Sequence, residues 1–133
     1  MKTIDEIRAF FRGDLFASGQ GISIDSVAED TATCSVELGP GHLNAVGSAQ
    51  GGLIFTLADF AFAVAANNQV AGTVTLNSTI SYLRPPKGCR LTATATCIKR
   101  GRNVCFYQVS VNDETGNMIA QVSTTGYTKP QSK

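Results

Sequence analysis

The chain has 133 residues, of which 43% are hydrophobic and 16% charged, and its formal net charge is +1. This length fits a single domain, residues 1–133, and the composition excludes a disordered tail. The small net charge, without a long run of either sign, argues against a general nucleic-acid binder.

The first 38 residues predict a short helix followed by a hairpin. Residues 3–12 form an amphipathic pattern that opens with the capping-box pair Thr3 and Glu6, and residues 13–21 have a loop-like composition. Two alternating runs follow. They place Ile22, Ile24, Ser26 and Ala28 on one face of the first strand, and Ala32, Cys34, Val36 and Leu38 on one face of the second.

Residues 48–68 predict a helix that is apolar on every side, after an irregular segment over 39–47. Its length approaches the ~20 residues of a membrane span, but the central Asp59 and the absence of flanking basic residues argue against insertion. Such a helix must be covered on more than one flank. One antiparallel sheet covers one flank, and a second copy of the chain is the simplest cover for the other.

The remainder of the chain predicts four further antiparallel strands. Their apolar sets are Val74, Leu76, Ile80 and Tyr82, then Cys89, Leu91, Ala93, Ala95 and Cys97, then Cys105, Tyr107, Val109 and Val111, with residues 118–128 closing the sheet. The four cysteines fall on apolar phases, form no CxxC pair and lie far in sequence from His42, so we expect core residues and no metal site. The charged N-terminus is unlike a signal peptide, so we expect a cytoplasmic protein with reduced thiols.

Asp59 is the unusual residue of the apolar helix. A buried carboxylate is costly unless it is paired or protonated, and no Lys, Arg or His occurs between residues 43 and 83. Two interpretations stay open. Asp59 points into solvent or caps a backbone group, or it is a catalytic carboxylate at the edge of an apolar pocket.

The start of the helix offers hydrogen-bond donors. With Ser48 as the N-cap, the amides of Gln50, Gly51 and Gly52 would lack helical partners and could receive a substrate carbonyl, a phosphate or another chain. Gly51 and Asp59 are eight residues apart, or roughly 12 Å along a helix axis. A reacting carbonyl must lie ~3 Å from both groups, so one helix cannot supply both, whereas two antiparallel copies can. An enzyme built this way must be at least a homodimer with shared sites.

The run "GHLNAVGSAQGGLIFTLADFAFAVAANN", together with "STISYLRPPKG" and "IKRGRNV", resembles hotdog-fold acyl-CoA thioesterases of the phenylacetate-degradation (PaaI-like) type, over about residues 14–128. The resemblance implies an α+β fold in which one curved antiparallel sheet wraps the long helix. It also implies hydrolysis of acyl-CoA to a carboxylic acid and free coenzyme A without a cofactor. Members of the family are dimers, usually paired into tetramers.

The resemblance also assigns site residues. Asp59 matches the catalytic carboxylate, as nucleophile or general base, Gly51 the amide that polarises the thioester carbonyl, and Asn44 the residue that positions substrate or water. Gln50 stands where the family usually has histidine. A glutamine can orient a carbonyl or a water but cannot carry a proton. Gly52 is expected to contact the substrate through its backbone.

Coenzyme A carries phosphates, so the site needs basic residues at its mouth. The densest basic cluster is Lys99, Arg100, Gly101, Arg102 and Asn103, with Arg84 and Lys87 as further candidates. The cluster is either a solvated turn or, as the resemblance favours, a contact for these phosphates.

Two other functions on this fold remain open. The first is a non-catalytic acyl-CoA sensor or carrier, which the replacement of histidine by Gln50 permits. The second is a hydratase or dehydratase, although those enzymes generally pair a histidine with a carboxylate and His42 is the one histidine of the chain. Phe55, Phe60 and Phe62 fit an aryl or medium-chain acyl pocket, or are plain core residues.

Overall fold

The computed structural model describes residues 2–130. Over this range the helices are α1 (Ile4–Phe11), α2 (Leu15–Gly19) and α3 (Gly51–Asn67), with a 3-10 turn at Pro40–His42. The strands are β1 (Ser23–Ala28), β2 (Thr31–Glu37), β3 (Thr73–Tyr82), β4 (Arg90–Arg100), β5 (Val104–Asp113) and β6 (Met118–Thr128).

The six strands form one sheet in the order β1-β2-β4-β5-β6-β3, and every neighbouring pair is antiparallel. The inner face of the sheet packs against α3. Leu57, Ala58 and Ala61 of α3 are fully buried, as are Val109 and Val111 of β5. The predicted α+β architecture, a long apolar helix against one antiparallel sheet with a short N-terminal helix, is confirmed.

The N-terminal segment contains one more helix than predicted. Helix α1 has the expected capping box, in which the Thr3 hydroxyl and the Glu6 carboxylate each accept from the other residue's backbone N–H. The loop expected over residues 13–21 instead holds α2, where Asp14 caps the first turn by accepting from the Ala17 N–H at 3.0 Å. Because glycines lie within and beside this short helix, the composition of the segment predicted a loop.

Two β-bulges changed which residues face the core. A bulge between Ile24 and Ser26 in β1 shifts the alternation, so Ala28 is exposed although Ile24 is buried. A second bulge, between Thr75 and Asn77, does the same in β3. Of the predicted core set of β3, Val74, Leu76 and Tyr82 are 45%, 59% and 52% exposed. The assignment was wrong for these three residues, because β3 is a bulged edge strand, whereas the fourth member, Ile80, packs against the core.

The cysteines were predicted to be core residues, and this is correct for three of them. Cys34 and Cys105 are buried, and Cys97 packs against the core. Cys89 is exposed, because β4 begins one residue later, at Arg90, so Cys89 belongs to the preceding turn.

Two asparagines fix the C-terminal end of α3. The Asn67 amide donates to the carbonyls of Ala63 and Thr73 and accepts from the N–H groups of Gly72 and Thr73. The Asn68 amide donates to the Ala28 carbonyl at 3.0 Å. These contacts tie the helix to β3 and to the β1–β2 hairpin, so the helix is held in one orientation against the sheet.

One face of α3 is left incompletely covered. Its members lie in two adjacent rows with a spacing of four residues, and we call them the open stripe: Gly51, Phe55, Asp59 and Ala63 in one row, and Gly52 and Thr56 in the other. The rest of the helix is buried. Within residues 2–130 there is no helix long and apolar enough to cross a membrane.

Candidate active site

The N-cap of helix α3 lies two residues later than predicted. The cap is Gln50 and not Ser48, and the Gln50 side-chain oxygen accepts from the N–H groups of Gly52 and Leu53. The Gln50 N–H itself donates to the His42 carbonyl at 2.9 Å. Of the three amides expected to be free, only that of Gly51 has no acceptor within residues 2–130.

These hydrogen bonds change which polar groups of Gln50 and Gly52 are available to a substrate. Because the Gly52 amide is engaged by Gln50, it cannot also serve a ligand without breaking the cap. In both hydrogen bonds the accepting atom of Gln50 is its side-chain oxygen, so the Nε2 group of the same amide is available as a donor. The residues at the start of α3 therefore present two donors, the Gly51 N–H and Gln50 Nε2, with the positive end of the helix dipole behind them.

The loop before α3 is shaped by Asn44. Its Oδ1 accepts from the N–H groups of Val46 and Ser48 at 3.0 and 3.1 Å, and its own N–H donates to the Ser48 carbonyl. Asn44 is exposed, and its Nδ2 has no acceptor in the described part of the chain. It therefore organises the loop through its oxygen and leaves one donor available.

Two cavities flank the first turn of α3. One, of about 350 Å³, is lined by Ser48, Gly51, Ile54, Tyr82 and Arg84. The other, also about 350 Å³, is lined by Phe16, Gln20, His42, Gln50, Gly52 and Thr56. The predicted residues Gly51 and Arg84 thus share a cavity, whereas Gln50 and Gly52 line its neighbour.

Asp59 lies in the middle of the open stripe and is partly buried. Burial raises the pKa of its carboxyl, the nearby Asp14 charge raises it further, and a hydrogen bond from Thr75 lowers it. No Lys, Arg or His of residues 2–130 forms an ion pair with it. Asp59 is therefore a partly desolvated carboxylate without a cation partner among residues 2–130.

The same helix carries Gly51 and Asp59 without a break, so they remain roughly 12 Å apart along its axis. A single chain consequently keeps its free amide and its carboxylate at separate points of the open stripe.

The basic cluster lies at the opposite end of α3 from Gly51. Two guanidinium nitrogens of Arg100 donate to Asp30 Oδ1 at 3.1 and 2.8 Å, and one reaches the Ala66 carbonyl at 3.5 Å. Ala66 lies roughly 22 Å from Gly51 along the helix axis. Asn103 is also engaged, since its Nδ2 donates to the Thr128 carbonyl.

The other basic candidates differ in their contacts. Lys99, Gly101 and Arg102 are exposed, and neither Lys99 nor Arg102 forms an ion pair within residues 2–130. The Arg84 guanidinium donates to the Met118 carbonyl. Lys87 is exposed, and its N–H donates to Asp113 Oδ2 at 2.9 Å.

Sequence reasoning missed two residues next to the predicted site. Thr75 Oγ1 donates to Asp59 Oδ1 at 3.2 Å, and the Tyr82 hydroxyl donates to the Gly51 carbonyl at 2.8 Å. Both lie on β3, where sequence periodicity suggested only a core face and its polar alternates. Within residues 2–130, no group of three His, Cys, Asp or Glu side chains is placed to hold a metal ion.

Comparison with known proteins places the chain in a family. The family model described as the thioesterase superfamily matches residues 47–120. The chain is 33% identical over 120 residues to the acyl-coenzyme A thioesterase PaaI of Escherichia coli K12, which covers 90% of this chain and 86% of that protein. It is 33% identical over 104 residues to human acyl-coenzyme A thioesterase 13, covering 75% of this chain and 74% of that protein.

Solved structures agree with these sequence matches. The E. coli PaaI structure superposes with a TM-score of 0.88 at 30% identity, covering 93% of this chain and 91% of that one. A hypothetical thioesterase of Streptococcus pneumoniae TIGR4, solved with coenzyme A, superposes with a TM-score of 0.84 at 25% identity, covering 94% and 98%. The chain therefore belongs to the thioesterase superfamily and has the hotdog fold of its PaaI-like members.

Proposed function

We propose that the protein is an acyl-CoA thioesterase that hydrolyses its substrate to a carboxylic acid and free coenzyme A. The observation that carries this proposal is the pairing on one open stripe of an unsatisfied Gly51 N–H and an uncompensated Asp59 carboxylate. Hydrolysis of a thioester needs one donor for the developing oxyanion and one base or nucleophile. The names of the E. coli and human relatives support the same reaction.

In this mechanism the thioester carbonyl oxygen accepts from the Gly51 N–H, with Gln50 Nε2 and Asn44 Nδ2 as further donors to substrate or water. As general base, Asp59 takes a proton from a water whose oxygen adds to the carbonyl carbon. The tetrahedral intermediate then breaks its C–S bond, and the sulfur leaves as a thiolate that accepts the proton held by Asp59. As nucleophile, Asp59 would instead add to the carbonyl carbon and expel the coenzyme A thiolate, which forms an anhydride; water then hydrolyses the anhydride, freeing the carboxylic acid and Asp59 and supplying the proton to the thiolate. Both routes give the same products.

We propose a homodimer as the catalytic unit, because one chain keeps its Gly51 and Asp59 too far apart to meet one carbonyl. Strand β3 supports this arrangement. It is an edge strand whose Val74 and Leu76 are exposed, and its Thr75 contacts the open stripe at Asp59. A second chain covering β3 and the open stripe would bring the partner's Gly51 towards Asp59.

The pairing of two such dimers into a tetramer is a separate proposal, expected from the resemblance. The mass in solution tests both assemblies. A dimer has twice the 14.0 kDa chain mass and a tetramer four times that mass. A species with the mass of one chain that still hydrolyses substrate would contradict the shared site.

We propose that Lys99 and Arg102 contact the phosphates of coenzyme A, with Arg84 and Lys87 as further contacts. Lys99 and Arg102 are exposed and have no carboxylate partner within residues 2–130, whereas Arg100 is held by Asp30. Since their turn lies near the C-terminal end of α3, it would serve a site whose Gly51 comes from the other chain. A cytoplasmic location is also proposed, in keeping with the free thiols of the four cysteines.

A thiol-release assay over a panel of aryl, short-chain and long-chain acyl-CoAs tests the reaction. We expect release from at least one class, and loss of about 10²-fold or more in kcat for Asp59→Asn. Asp5→Asn is the matched control, because the Asp5 side chain is 90% exposed on α1, and it should leave kcat unchanged. Tight binding of acyl-CoA without any thiol release would reject hydrolysis and favour a sensor or carrier.

A further inference from the structure

Tyr82 makes a contact that neither the core nor the mechanism above requires. It lies at the end of β3 and is 52% exposed, yet its hydroxyl reaches the Gly51 carbonyl at 2.8 Å. Its ring also lies against Gly51. A Cβ placed on that glycine would be 3.2 Å from both Cζ and Oη of Tyr82.

The first turn of α3 needs such a restraint. Gly51 and Gly52 together make its backbone unusually free to rotate. The other restraints come from the irregular segment before the helix, through the Gln50 cap and the bond from its N–H to the His42 carbonyl. Tyr82 supplies the contact from the sheet, since β3 is bonded to β6 along its length.

We propose that Tyr82 is a positioning residue that holds the Gly51 peptide groups so that the free N–H points at the thioester carbonyl. This inference rests on the proposed thioesterase function. An oxyanion donor is effective only when its geometry is fixed before the charge develops, within roughly 0.5 Å. Gly51 is then needed both to expose its amide and to admit the Tyr82 ring.

The test is Tyr82→Phe, which removes only the hydroxyl. We expect kcat to fall about tenfold with KM unchanged, because the lost hydrogen bond orients a donor that acts in the transition state. Binding of an S-alkyl-CoA thioether, which lacks the carbonyl, should be unchanged. Tyr127→Phe is the matched control, since the Tyr127 hydroxyl has no partner among residues 2–130, and it should behave as wild type.

An unchanged kcat in Tyr82→Phe would overturn the inference. Weaker thioether binding that accounts for the whole loss of activity would also overturn it, because Tyr82 would then be only part of the cavity wall.

The order parameter of the Gly51 amide, measured by NMR on the free protein, gives a readout independent of activity. It should fall in Tyr82→Phe and not in Tyr127→Phe. If the wild type released no thiol from any acyl-CoA, the proposed function would fail, and equal Gly51 order parameters would overturn the Tyr82 restraint separately.

Discussion

The Thr75 hydroxyl donates a hydrogen bond to Asp59, with Oγ1 3.2 Å from Oδ1. This bond joins the middle of α3 to the edge strand β3, across 16 residues of sequence. It is the one side-chain donor to this carboxylate within residues 2–130. Asp59 is therefore oriented by a neutral partner without being neutralised, as a base or nucleophile requires.

Thr75→Val should weaken catalysis while leaving the fold intact. The hydrogen bond lowers the pKa of Asp59, so its removal raises that pKa, and the acidic limb of kcat/KM should move to higher pH. The maximal kcat should fall about tenfold through loss of orientation. Thr79→Val, an exposed threonine of the same strand, is the control. A pH profile that does not move would show that Thr75 does not act on Asp59.

Asp59→Asn should stabilise the protein at neutral pH while it abolishes turnover. Burial raises the pKa of Asp59 in the folded protein above its ordinary value of 3.8. At pH values between 3.8 and the raised pKa, the folded protein therefore binds more protons than the unfolded chain. The stability of the wild type consequently falls as pH rises through this window. We expect a higher Tm for Asp59→Asn at pH 7, with the difference shrinking as pH falls toward 3.8. Equal Tm values at pH 7 would contradict the assigned burial.

Two neighbouring arginines should behave differently when replaced. Arg100→Gln loses the bonds to Asp30 and Tyr107, so the free energy of unfolding should fall by roughly 1 kcal/mol. Arg102→Gln should leave Tm unchanged and raise KM for acyl-CoA several-fold, most strongly at low salt. Arg12→Gln, an exposed arginine at the end of α1, provides the control for KM. An unchanged KM in Arg102→Gln would remove that residue from the phosphate contacts.

Asn67→Ala should be among the more destabilising single changes outside the apolar core. The side chain satisfies four backbone groups at the end of α3, and truncation leaves them unpaired. We expect a loss of about 2–3 kcal/mol in the free energy of unfolding, measured by urea denaturation. Asn117→Ala, at an exposed turn position, should change it by less than about 0.5 kcal/mol. A small effect at residue 67 would mean that water replaces these bonds.

The sequence predicted the elements whose pattern is regular and missed those set by tertiary contacts. Helix α3 follows from its long continuous apolar run, and the inner faces of β4 and β5 follow from the alternation of their residues. The bulges in β1 and β3 do not, because one extra residue reverses the alternation without leaving a signal in composition. Gln50 is the cap, and not Ser48, because the path of the preceding loop decides which side chain reaches the first amides.

The candidate site likewise has one part that the sequence predicted and one part that only the fold reveals. The spacing of Gly51 and Asp59 was readable, since both lie on one helix. Their partners Tyr82 and Thr75 lie 31 and 16 residues away in sequence, so only the fold brings them together.

Mixing two inactive variants tests the shared site most directly. Gly51→Pro removes the N–H at the first helical position, where proline is tolerated, and also crowds the Tyr82 ring, so it disables the donor side of the site, while Asp59→Asn removes the carboxylate. A heterodimer of the two has one site with both defects and one with neither. After subunit exchange, verified by mass spectrometry of differently tagged chains, activity should rise from near zero to about one quarter of wild type for random pairing. Verified heterodimers without any recovered activity would show that no site takes Gly51 from one chain and Asp59 from the other.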